Sequence, residues 1–60
     1  MIYVIYKFYD EEPGVGYYWG KYEDPVTLDR TLASLAEMGV YDTRVIPYSY
    51  TDDIPRTIER

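Results

Sequence analysis

The residues of this chain best equipped for chemistry are carboxylates: Asp10, Glu11 and Glu12 in one run, then Glu23 and Asp24. Paired carboxylates can divide acid and base roles between them, but only across a pocket. A chain of 60 residues has little material from which to enclose one. Histidine and cysteine, the usual general base and a common nucleophile, are both absent. Ser34 and Ser49 have no adjacent base. The same absences remove the ordinary zinc and copper ligands. The acidic run lacks the regular oxygen spacing of a calcium loop. Gly14-Val15-Gly16 starts like a phosphate loop, yet it precedes a strand, has acids beside it and lacks the rest of any fingerprint. The expectation is a non-enzymatic protein with no catalytic residue, no metal and no cofactor.

What the carboxylates can do is attract. The net charge is −5, from 11 acidic and 6 basic residues. That balance repels a phosphate backbone, so nucleic acid is not expected to be bound directly. It suits a larger, basic protein partner, and it also serves plain solubility. No stretch approaches the roughly 20 apolar residues that span a bilayer. The first residues lack a basic region followed by an apolar run and a cleavage site. The expected setting is therefore the cytoplasm, or the host cytoplasm if the protein is viral, with no membrane contact.

Elements that would position these residues follow from pattern. Met1 to Tyr9 is almost entirely β-branched or aromatic and reads as a central strand. One face carries Ile2, Val4, Tyr6 and Phe8, the other Tyr3, Ile5, Lys7 and Tyr9. The first set is the more uniformly apolar and is expected to face the helix. Asp10 to Gly16 reads as a hairpin loop turning at Pro13-Gly14. Tyr17 to Tyr22 closes the hairpin, with Tyr17, Trp19 and Lys21 on one face and Tyr18, Gly20 and Tyr22 on the other. Asp24 is suited to a helix N-cap and Pro25 to the first helical position. Leu28, Thr31, Leu32, Leu35 and Ala36 form one stripe, and Gly39 stops the helix after Met38. Tyr41 to Tyr50 reads as a third strand, with Pro47 confining it to an edge. Residues 51–60 read as a mobile, mostly extended tail, with Ile54 and Ile58 available to anchor it.

The expected fold is α+β. It is a β-β-α-β domain over residues 1–50, a three-stranded, antiparallel-type sheet in order 2-1-3 with one helix on one face. Such a sheet leaves a second face uncovered, and here that face would still carry large rings. The chain holds nine tyrosines, one tryptophan and one phenylalanine. Aromatic side chains are enriched at the centres of interfaces. The candidate partner-binding residues are Tyr3, Tyr9, Asp10, Glu11, Glu12, Tyr17, Tyr18, Trp19 and Tyr22.

A short, acidic, cysteine-free chain of this kind resembles in general character phage-encoded proteins that block host defence or nucleic-acid enzymes. The resemblance runs over the whole chain and is carried by no single motif. It implies an inhibitor that docks on a larger protein, its acids standing in for phosphates. A second reading is a structural module that forms a homodimer through the open face or an edge strand. A third uses Lys7, Lys21, Arg44 and exposed tyrosines as a stacking platform for single-stranded nucleic acid.

Overall fold

The structure is a computed structural model that describes residues 1–60. Its elements are β1 (Ile2–Tyr9), β2 (Glu12–Tyr22), α1 (Pro25–Glu37), β3 (Thr43–Tyr48), a 3-10 turn (Thr51–Asp53) and β4 (Thr57–Glu59). The fold is a small α+β domain with one helix and an antiparallel sheet. That sheet has four strands in order β3-β1-β2-β4, where three were expected. The first three keep the expected arrangement: β1 lies between β2 and β3, antiparallel to both. The extra strand comes from the segment read as a tail. Thr57, Ile58 and Glu59 pair with Tyr17, Gly16 and Val15 along the far edge of β2.

Helix α1 forms where its signals agree. The Asp24 carboxylate accepts from the Val26 amide at 3.3 Å and from the Thr27 hydroxyl at 3.0 Å. These bonds favour the charged form and hold the Asp24 carboxyl below its ordinary pKa. At the other end Gly39 takes φ 80°, which only glycine adopts without strain. Its amide donates to Ala36 at 3.0 Å and the Val40 amide to Leu35 at 2.8 Å, closing a Schellman motif. Leu28 and Leu35 are buried along the stripe.

The assignment of faces is reversed from expectation. Helix α1 lies on the odd face of β1, where Ile5 packs with Leu28 and Leu35 and is flanked by Tyr3, Tyr22, Leu32, Val40 and Val45. The more apolar even face, with Ile2, Val4 and Tyr6, packs instead against Ile46, Tyr48, Ile54 and Ile58. The β2–α1–β3 connection is a crossover between two parallel strands and places the helix on one side of the sheet. Which residues of β1 meet it is set by the pairing register. Both faces of β1 are covered by apolar side chains, so the more apolar one need not lie under the helix. The residues after β3 then cross to the other side and cover it, so neither face of β1 is open. Val4, Ile5 and Tyr6 are each 0% exposed, side chains from both faces of one strand.

The hairpin also turns earlier than expected, at Asp10-Glu11, and β2 runs through Pro13-Gly14. Proline is tolerated there because β2 has parted from β1: Glu12 pairs with Tyr9, but the next pair is Gly16 with Phe8. A second irregularity lies between Ile5–Gly20 and Tyr6–Tyr18, making Trp19 the extra residue of a β-bulge. The bulge shifts the expected alternation, so that Tyr18 and Lys21 both fall on the even face of the sheet.

One polar link crosses the even-face core. The Tyr6 hydroxyl donates to the Pro55 carbonyl at 2.8 Å and accepts from the Tyr48 hydroxyl at 3.1 Å. Burial first, and the Tyr48 contact second, push the Tyr6 pKa far above the usual 10.0. The unfolded chain gives up this proton near pH 10.0 while the folded chain keeps it. Stability from this group is thus complete below that pH and falls as pH rises through it. Tyr6→Phe should cost about 1 kcal/mol at neutral pH and lose less than the parent on going to about pH 11, as read by urea denaturation.

Gly16 gives a second test. A Cβ there would lie 2.8 Å from Phe8 Cζ and 2.9 Å from Ile58 Cγ1. Phe8 is 2% exposed and cannot swing away. Gly16→Ala should therefore cost about 1–3 kcal/mol by overpacking. Gly14→Ala, two residues away with nothing within 4 Å of its added Cβ, should leave the urea midpoint nearly unchanged.

Candidate functional site: an aromatic and acidic hairpin end

Helix α1 covers only part of the odd face. Lys7, Tyr9 and Tyr17 belong to that face by register but are absent from the helix core: Lys7 pairs with Tyr17, and Tyr9 with Glu12. These residues make a cluster of their own. The Tyr9 and Tyr17 rings meet edge to face at 6.0 Å between centroids. The Lys7 ammonium lies 5.0 Å from the Tyr9 ring centre and donates to the Phe8 carbonyl. The Tyr17 hydroxyl donates to the Glu12 carboxylate, which raises the pKa of Tyr17. Asp10 and Glu11 form the exposed turn beyond it. Tyr9 and Trp19 are each 41% exposed.

The nine candidate residues therefore separate into three groups. Tyr9, Asp10, Glu11, Glu12 and Tyr17 come together at the hairpin end, with Trp19 close by along β2 in the bulge. Tyr3 and Tyr22 pack under the helix and serve its core. Tyr18 lies on the opposite face, opposite Tyr6. Strict alternation puts Tyr18 and Tyr22 together on one face of β2; the bulge at Trp19 instead leaves Tyr18 on the even face and Tyr22 on the odd one.

The basic residues of the nucleic-acid reading are divided as well. Lys7 is on the odd face, whereas Lys21 and Arg44 pair with Val4 and Tyr6 and belong to the even face. Arg44 lies 5.6 Å from the centre of the Phe8 ring.

Ile54 and Ile58 anchor the C-terminal segment as expected, but its pairing as a strand and the contacts of Arg60 were not foreseen from the sequence. Arg60 lays its guanidinium 4.3 Å from the centre of the Phe8 ring, donates to the Pro13 carbonyl at 3.0 Å and pairs with Asp42. Asp42 itself is held at φ 63°, and its carbonyl accepts from the Phe8 amide at 3.0 Å. The available signal was the alternation Ile54, Ile58 with β-favouring Thr57 between them, too short to stand out beside Asp52, Asp53 and Pro55.

No group of three or more Asp and Glu side chains is arranged to hold a metal ion, and no helix is long and apolar enough to cross a membrane. Compared with known proteins, the chain matches no family model, no curated protein and no solved structure.

Proposed function

We propose that this protein is a non-enzymatic binding module that docks on a larger, basic protein through its hairpin end. One observation carries the reading: the touching rings of Tyr9 and Tyr17 flank the consecutive carboxylates Asp10, Glu11 and Glu12, in a chain of net charge −5. Aromatic faces and carboxylates are the two surfaces that arginine and lysine side chains prefer, by cation–π contact and by charge-assisted hydrogen bonding. The chain already shows the pairing internally, with Lys7 over Tyr9. In its sharper form the module is an inhibitor of the kind phages direct at host enzymes, its carboxylates occupying a cleft built for phosphates. That form rests on the general resemblance and the charge. Self-association through an open sheet face is less well served, because α1 covers part of one face and residues 54–58 cover the apolar centre of the other.

The test is a titration with a deca-arginine peptide, followed residue by residue by NMR. Shifts should concentrate on Lys7–Glu12, Tyr17 and Trp19. Shifts spread evenly over Glu23, Asp29, Asp52 and Asp53 as well would mean that net charge alone drives binding, and the reading would fall. Replacing Asp10, Glu11 and Glu12 together by Ser should slow association, most at low salt. Tyr9→Ser with Trp19→Ser should weaken binding by about fivefold or more while circular dichroism stays near native.

A further inference from the structure

On the face opposite the helix the chain forms a groove of about 290 Å3, lined by Tyr18, Lys21, Thr51, Ile54, Pro55 and Arg56. Its charge is opposite to that of the protein as a whole: it holds two of the six basic residues and no acid, although Asp52 and Asp53 adjoin it in sequence. Neither Lys21 nor Arg56 is in a salt bridge; the ion pair of the structure is Arg60 with Asp42.

Both walls are built. In a regular strand Tyr18 and Lys21, three residues apart, would point to opposite faces. The bulge at Trp19 puts both on the even face, since Tyr18 pairs with Tyr6 and Lys21 with Val4. Bulges re-aim side chains in this way beside functional sites. The facing wall is pinned at consecutive residues. The Pro55 carbonyl accepts from the Tyr6 hydroxyl at 2.8 Å, and the Arg56 carbonyl accepts from the Tyr18 amide at 2.9 Å. Ile54 is held by its packing on the even-face core.

We infer that this groove binds a small organic anion, its flat apolar body against Tyr18, Ile54 and Pro55 and its anionic head between Lys21 and Arg56. The volume is at the low end for ligand sites, matching one ring and one head group. Arginine can grip a carboxylate or phosphate with two parallel bonds, and lysine adds a point charge. The site is independent of the hairpin end, which lies on the other face.

Phenyl phosphate, benzoate, inorganic phosphate and benzyl alcohol, each titrated up to about 10 mM, test it by NMR on the full chain. The expected result is saturable shifts at Tyr18, Lys21, Thr51, Ile54 and Arg56 with phenyl phosphate or benzoate; which of the two binds more tightly identifies the head group. Inorganic phosphate and benzyl alcohol, each lacking one half of the ligand, should bind about tenfold or more weakly. Lys21→Gln with Arg56→Gln should remove the saturable shifts; both positions are exposed, so the fold should persist by circular dichroism. Should that double variant unfold, Lys21→Gln alone, expected to weaken binding about fivefold, takes its place. Absence of saturation with both aromatic anions, equal binding of inorganic phosphate, or binding unchanged by the substitutions would overturn the inference.

Discussion

The rest of the structure depends on the two-sided burial of its first strand. At its centre β1 has no wet face: Val4 and Tyr6 on one side and Ile5 on the other are fully enclosed. A chain of this length buries only about 60% of its unfolded surface, so two separate coverings are a heavy demand on it. It meets the demand with unlike materials. A capped helix of 13 residues covers the centre of the odd face, and Ile54 and Ile58, from the segment after β3, cover the even one. The second covering is too short to hold by apolar contact alone. It is fastened by polar bonds that reach across the molecule, from Tyr6 to Pro55 and from Arg60 to Asp42 and Pro13.

How much of this was legible in the sequence follows from the range of each interaction. The helix and its caps were legible, because Asp24, Pro25, the leucine stripe and Gly39 act within a few residues of one another, although Ala36 of the expected stripe is exposed. So was the order of the first three strands, which the hairpin and one crossover dictate. The choice of face was not, since both faces of β1 are covered and the pairing register, which counting apolar residues does not give, decides which set meets the helix. Strand β4 was hidden because Ile54 and Ile58 are isolated among Asp52, Asp53 and Pro55, and only the partner strand 40 or so residues earlier makes sense of them.

The candidate site shows the same division. The acidic turn and the rings near it were legible as residues, since three consecutive acids must face water. Their grouping was not. Tyr3 and Tyr22 serve the helix core, and Tyr18, which alternation groups with Tyr22, lies on the other face of the sheet. A single irregularity in pairing, invisible to a count of alternate residues, decides which side chains share a surface. The even-face groove was wholly outside the reach of the sequence, because it joins residues from β2 with residues beyond β3.

That irregularity has a spectroscopic consequence. Trp19 is the sole tryptophan of the chain, and it is the inserted residue of the bulge. It is 41% exposed and contributes to neither core cluster. Its indole emission therefore reports chiefly on the local pairing register of β2. Tyr6 and Tyr48 on one face, and Tyr3 and Tyr22 on the other, lie in or against the cores, and their environment reports on core packing. Under denaturant the two signals can part company, so the protein carries a built-in gauge that separates slippage of one strand from loss of the whole fold.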